Sequence, residues 1–241
     1  MLSLLSRSSI LQAGILDGAT DWHCHLLPGV DDGVQKLDDT LALLSYYEQV
    51  GIREVWLTPH VMEDIPNTTE DLRQRFAALQ EAYNGPLRLH LAAEHMLDNL
   101  FDQRLAAKDV LPIGNACDHL LVETSYFNPP LDLHDVLRRI LAAGYYPLLA
   151  HPERYVYMER SDYRELIAMG VKFQVNLPSL AGSYGPHVQE KAQWLVSQGM
   201  ATLLGTDTHQ LAHLQRALQT PTRFLHKHAT PLRQLAHNAL A

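Results

Sequence analysis

Cysteine is scarce in this 241-residue chain, with only Cys24 and Cys117 present. Two thiols cannot build a disulfide framework, and Cys24 lies between His23 and His25, where a cross-link would constrain both imidazoles. Both are expected to be reduced thiols in the cytosol, with Cys24 facing away from its neighbours as a small core residue. Basic charge is also short. The 19 Lys and Arg against 27 Asp and Glu give a formal charge of −8, and no Lys/Arg run could follow a phosphate backbone. Nucleic acid is therefore excluded as the main partner. No apolar stretch approaches the ~20 residues needed to cross a bilayer, so no transmembrane segment is expected. Residues 1–16, MLSLLSRSSILQAGIL, lack the basic start and the small-residue cleavage pattern of a leader. They read as an N-terminal arm packed on the domain or on a neighbouring subunit of a homo-oligomer. Linkers rich in Gly, Ser or Pro are missing as well, which favours one domain over residues 1–241.

What is there is an alternation. Short apolar runs suited to strands are Gly18–His23, Glu54–Thr58, Leu87–Ala92, His119–Val122, Pro147–Ala150, Lys172–Val175 and Thr202–Leu204. Between them, helical spacing spans Leu37–Val50, Thr69–Tyr83, Asp98–Ala106, Asp132–Ala143, Asp162–Met169 and Pro186–Gln198. Gly51, Gly144, Gly170 and Gly199 each follow a helix and precede a strand, as left-handed C-terminal caps do. Repeated βα units imply a parallel sheet, and the spacing predicts seven such units. The tail, residues 211–241, reads as one or two helices with breaks at Pro221 and Pro231.

Potential metal ligands follow these strands. His23 and His25 follow the first, His60 the second, Glu94 the third, Glu123 the fourth, His151 the fifth, and Asp207 with His209 the seventh; Asn176 ends the sixth. In a parallel barrel every C-terminal strand end points to one face, so residues from distant parts of the chain converge there. Alternate positions of an extended segment point the same way, so His23 and His25 can share one ion. The PGVDDG stretch, with Gly29 and Gly33, allows the turn that brings Asp32 back toward them, while Asp31 is expected to cap that turn and His95 to line the rim. Nitrogen and carboxylate donors without thiolate suit manganese, iron or zinc. Several divalent ions make a positive pocket, whose natural occupant is an anion such as a phosphate monoester.

The motifs DWHCHLLPGVDDG, LTPH, AAEH, LLVETSYFNPP, LLAHPERY, QVNLPSL and GTDTH run in this order over roughly residues 17–210. Together they resemble the polymerase and histidinol phosphatase (PHP) superfamily, and within it the bacterial tyrosine phosphatases of capsular and exopolysaccharide synthesis. The resemblance implies a distorted (β/α)7 barrel related to the TIM barrel, with three divalent ions, manganese first, at the C-terminal strand ends. It places one ion on His23, His25, Glu94 and Asp207, a second on Glu94, Glu123 and His151, and a third on Asp32, His60 and His209. It further implies direct attack of metal-activated hydroxide on phosphorus, with Arg154 gripping the phosphate and Asn176 contacting substrate. Relatives commonly carry a second arginine just after the DxH pair. Here the chain reads DTHQLAHLQR, so Arg216 lies farther along, and Asn176, Ser179 or a backbone amide could bind phosphate instead.

By the same resemblance the substrate is a phosphotyrosine protein, a polysaccharide-synthesis tyrosine kinase, and the location cytoplasmic. Tyr126, Phe127, Tyr155 and Tyr157 follow the fourth and fifth strands and either flank such a substrate or pack as ordinary loop residues. Three other readings stay open: a PHP phosphatase for a small metabolite such as histidinol phosphate, a hydrolase of amidohydrolase or TatD type, and a non-catalytic partner of a membrane kinase.

Overall fold

The computed structural model describes residues 6–240. Its first sheet is built from β1 (Thr20–Cys24), β2 (Glu54–Leu57) and β4 (Arg88–Leu91), in the order β1-β2-β4 and parallel throughout. The second has six parallel strands in the order β3-β5-β6-β7-β8-β9: β3 (His60–Val61), β5 (Glu94–Met96), β6 (His119–Glu123), β7 (Tyr146–Ala150), β8 (Lys172–Asn176) and β9 (Leu203–Gly205). The two form a curled parallel arrangement in an α/β fold. The second and third expected strands are filled by β2 and β4, and β3 and β5 are further short strands beyond their ends. Pro59, which has no N–H to give, separates β2 from β3, while its carbonyl still accepts from Glu94 N at 3.0 Å. Near the other edge, Asp207 N donates to His23 O at 2.7 Å and His25 N to Thr208 O at 3.0 Å. Cys24 and Thr208 there make a parallel bridge.

The helices fall close to their expected spans: α1 (Leu37–Gln49), α2 (Thr69–Ala82), α3 (Phe101–Ala107), α4 (Leu133–Ala142), α5 (Arg160–Ala168) and, after the short α6 (Leu177–Ala181), α7 (Pro186–Ser197). Their starts have local causes. Thr68 accepts from Asp71 N ahead of α2, and Glu159 with Asp162 makes a reciprocal capping box on α5. All four expected glycine caps have positive φ, from 67° to 97°. The tail holds three helices rather than one or two: α8 (Leu211–Gln219), α9 (Arg223–Lys227) and α10 (Ala229–Ala236). Pro231 does not break α10. It occupies the first turn, where the missing N–H would have had no helical partner anyway.

Apolar faces of the strands and helices merge into one large buried cluster that includes Leu44, Val55, Val122, Leu137, Phe173 and Leu195. A smaller cluster contains the stacked Trp22 and Trp56 together with Leu240. Residues 1–5 of the expected arm lie outside the described residues. The rest joins the core: Ile10 and Ile15 are fully buried, and Ser8 bridges antiparallel to Thr222 beside α9. Cys24 is buried and Cys117 exposed, both as free thiols. Among the described residues no helix is long and apolar enough to cross a membrane.

Candidate metal centre

All nine candidate ligands converge on one cup. Glu94 lies at its floor, because β5 pairs with β6 in a register that sets Glu94 level with Leu121, two residues below Glu123. It is fully buried, and both carboxylate oxygens are engaged. Oε1 lies 2.8 Å from His151 Nε2; Oε2 lies 3.1 Å from His23 Nε2, 3.3 Å from His25 Nε2 and 3.2 Å from His60 Nδ1. Asp207 Oδ1 stands 3.5 Å from His25 Nε2, and Asp32 Oδ1 stands 3.5 Å from His60 Nε2 and 3.4 Å from His209 Nε2. Asp32 and the half-buried His209 form the solvent side of the cup. Four overlapping groups bring ligand atoms close enough to share an ion: His23/His25/Asp207, His23/Glu94/His151, His60/Glu94/Glu123 and His25/Asp32/His60/His209.

The imidazole tautomers fit metal ligation. Gln174 Oε1 can only accept, so His23 Nδ1 donates to it at 2.7 Å, and His25 Nδ1 donates to Asp31 Oδ2 at 2.8 Å. Both Nε2 lone pairs then face each other across 3.1 Å. Two bare nitrogens held so close repel unless a cation or proton lies between them. Donors each ~2.1 Å from one ion at the tetrahedral angle stand about 3.4 Å apart, so these separations match shared coordination. His209 is fixed likewise, its Nδ1 donating to Asp207 O at 3.0 Å. His60 Nδ1 and Glu123 Oε1 are 3.0 Å apart but misaligned for a hydrogen bond, leaving both buried without a partner. Such orphaned donors and acceptors are costly unless something else occupies the space between them.

Electrostatics agree. Burial pushes the His23 imidazole down, but Glu94 and Asp207 outweigh it and hold its pKa at about 9. His60 follows the same pattern with Glu94 and Glu123 and reaches about 10. Burial would raise Glu94, yet His23, His151 and His60 hold it well below the usual carboxylate range. Without metal, protons must therefore neutralise this cup. Two of the candidate ligands also occupy backbone conformations that L residues seldom adopt: φ is 31° at His151 and 51° at Asp207. Each such conformation costs about 1–3 kcal/mol, and strain of this kind concentrates at functional sites.

Arg154 and Asn176 meet at Asp207. Arg154, in the 3-10 turn Pro152–Arg154, donates from Nη1 to Asp207 Oδ2 at 2.8 Å; Asn176 Nδ2 donates to the same oxygen at 2.8 Å. That leaves Asp207 Oδ1 facing the histidines. Asn176 is fully buried, and its Oδ1 accepts from Gln174 Nε2 at 2.9 Å, so its amide is committed to orienting neighbours. Ser179 is buried too and donates to Glu153 Oε1 at 2.6 Å. Arg154 thus pairs with Asp207, while the adjacent Glu153 is fully buried and accepts from Asn176 N.

Several readings of single residues need correction. His95 does not line the rim. It alternates with Glu94 on β5, points into the core, accepts from Leu111 N at 3.2 Å, and burial drops its pKa to about 4. Tyr155 is fully buried, donating to Ala150 O, so it does not flank a substrate at the rim, while the half-buried Tyr157 lies 2.6 Å from Thr124 Oγ1. Tyr126 lies against Arg154, and Phe127 is 71% exposed. Asp31 does more than cap its turn: besides accepting from Gly33 N, it accepts from His60 N at 3.0 Å and orients His25. Its pKa, which burial would raise, is held at about 2 by His25. Gln174 and Tyr184 escaped notice altogether. Gln174 contacts His23, 151 residues away, and no short motif signals such a pair. Arg216, with His213, lines a cavity of ≈ 440 Å³ that also borders Arg154, Asp207 and His209.

The model of the family described as capsular polysaccharide synthesis, CpsB/CapC, matches residues 19–235, nearly the whole chain. The chain belongs to the CpsB/CapC family. Relatives include the tyrosine-protein phosphatase YwqE of Bacillus subtilis, 26% identical over 208 residues covering 82% of each chain. The tyrosine-protein phosphatase CpsB of Streptococcus pneumoniae is 28% identical over 204 residues, or 79% of this chain and 83% of that one. A solved chain from the structures of YwqE and CpsB, described as unique metal-dependent tyrosine phosphatases, superposes with a TM-score of 0.78 at 24% identity, covering 89% of this chain and 90% of that one. It shares the fold. The CpsB/CapC membership is the one to which the ordered motifs pointed.

Proposed function

We propose that this CpsB/CapC protein is a metal-dependent protein tyrosine phosphatase acting on a phosphorylated tyrosine kinase of polysaccharide synthesis. In this reading the two parallel sheets, joined through Cys24 and Thr208, make a distorted (β/α)7 barrel whose mouth carries three divalent ions, manganese foremost, with iron or zinc as alternatives. The first takes His23, His25, Glu94 and Asp207, the second Glu94, Glu123 and His151, and the third Asp32, His60 and His209. The observation that carries the reading is the pair of Nε2 atoms of His23 and His25 facing each other above Glu94, each ring fixed by a partner on its opposite nitrogen.

Bound divalent ions would lower the pKa of a water from ~15.7 toward about 7 and neutralise charge on phosphoryl oxygens. The protein supplies the rest. Glu94 holds the floor of the cup as a carboxylate, and Asp31 and Gln174 keep two imidazoles in the ligating tautomer. Arg154 retains its charge, since Asp207 outweighs the effect of burial, and its planar donors suit two phosphoryl oxygens. A departing phenolate, with a pKa of about 10, needs less protonation than an alkoxide, so phosphotyrosine can be cleaved with little help from an acid.

The test is phosphate release from phosphotyrosyl peptides and from small phosphate esters, after anaerobic reconstitution with Mn²⁺, Fe²⁺ or Zn²⁺. Metal-dependent preference for the peptide is expected. A higher kcat/KM for a small metabolite ester such as histidinol phosphate would replace this reading with a metabolite phosphatase.

A further inference from the structure

Arg154 is long and partly exposed, yet it does not swing free. Its Cζ lies 4.3 Å from the centroid of the Tyr126 ring and 4.5 Å from that of Tyr184, while Nη1 is tied to Asp207. Among the described residues, Nη1 is the only guanidinium nitrogen of Arg154 with a protein hydrogen bond, and Nε and Nη2 are not buried orphans. They are therefore open to the cavity bordered by Tyr184, His209, His213 and Arg216. Tyr126 is anchored through its own backbone, whose carbonyl accepts from Val156 N at 2.8 Å. Tyr184 comes from elsewhere, the short loop between α6 and α7. The loop reads Gly182-Ser183-Tyr184-Gly185, with φ of 92° and 90° at its two glycines, and Pro186 then begins α7. Those conformations suit glycine, and between them they turn the tyrosine back over the arginine.

We propose that Tyr184 is a positioning residue for phosphate recognition, its ring fixing the plane of the Arg154 guanidinium so that Nε and Nη2 stay aimed into the cavity. The inference rests on the reading of Arg154 as the phosphate-gripping side chain. Planarity makes the stack useful: a guanidinium held by its face and by one in-plane bond presents its remaining donors in a fixed fork, without the ordering cost an unrestrained arginine would meet on binding.

The experiment is calorimetric binding of inorganic phosphate to the Mn²⁺-reconstituted protein, with manganese content measured alongside, for the parent, Tyr184→Phe, Tyr184→Leu, Tyr184→Ala, Arg154→Ala and the Tyr184→Leu/Arg154→Ala double variant. Tyr184→Phe keeps the aromatic face and should bind like the parent. Tyr184→Leu and Tyr184→Ala should weaken binding roughly 3- to 30-fold at unchanged manganese content, the range a cation–aromatic contact supports. In the Arg154→Ala background, Tyr184→Leu should add nothing, because its effect passes through the arginine. With phosphotyrosyl peptide, KM should rise more than kcat falls. Parent-like binding by Tyr184→Leu would overturn the proposal. So would an equal loss with or without Arg154, or a fall in manganese content in the leucine variant. If the parent fails to cleave phosphotyrosine while phosphate binding still depends on Tyr184 through Arg154, the substrate assignment falls and the positioning role stands.

Discussion

At the scale of single residues, His23, His25 and His209 are prepared for ligation because Nδ1 of each ring already donates to a protein acceptor. Asp31 and Gln174 fix His25 and His23 respectively. Losing a partner of this kind typically lowers metal affinity about 10- to 100-fold, so Asp31→Ala and Gln174→Ala should each do so, measured by chelator competition. Unchanged affinity in both would show that the tautomers are set in some other way. The nine candidate ligands that converge in the cup were legible in the sequence because HxH, DxH and the strand-terminal Glu and His are local patterns. Their orienting partners were not. Gln174 reaches His23 from the far side of the chain, and Asp31, beside Asp32 in a turn, looks like a simple cap until its second oxygen is seen to serve His25 and His60 N. For the aromatic residues the sequence left two readings open, and Tyr155, although it follows a strand end as a rim residue would, takes the packing one, its ring turned inward.

At the scale of elements, the strands deliver ligands only if neighbouring backbones approach closely. A Cβ added to Gly205, at the end of β9, would lie 2.6 Å from His23 Cβ and 2.7 Å from Gln174 Nε2. Gly144, between α4 and β7, has φ of +90° and open space around its absent Cβ. Gly144→Ala should therefore cost roughly 1–2 kcal/mol of stability through backbone conformation alone and leave metal content intact. Gly205→Ala should displace His23 and Gln174 and reduce metal content as well. Equal metal content in the two variants, measured by elemental analysis beside denaturant unfolding, would contradict this division. Helix boundaries were readable to within a few residues because caps and glycines mark them. The short β3 was not anticipated, although Pro59 visibly marks the break before it. The short α6 carries too few residues for a periodic signal.

At the scale of the whole molecule, an acidic chain concentrates five histidines and four carboxylates in one buried cup, so protons and metal ions compete for it. His23 and His60 are raised from 6.5 to about 9 and about 10, so in the metal-free protein both bind protons more tightly folded than unfolded. Their stabilising contribution is full below pH 6.5 and is lost as pH rises through 9 to 10. Asp31 works the other way: lowered from 3.8 to about 2, its contribution is present above 3.8 and lost as pH falls through 2. The Tm of the metal-free protein should therefore decline on the alkaline side between these limits, and saturating Mn²⁺ should remove most of that decline. Binding of the metal near pH 7 should also release protons, measurable by calorimetry in buffers of different ionisation enthalpy. A metal-free Tm that rises steadily to pH 10 would refute this charge balance.

Anomalous diffraction at the manganese edge, from crystals of the reconstituted protein, addresses the site itself most directly. Three peaks should appear inside the cup, bounded by His23, His25, Asp32, His60, Glu94, Glu123, His151, Asp207 and His209. Phosphatase activity in a manganese-loaded protein whose cup holds no anomalous peak would contradict it.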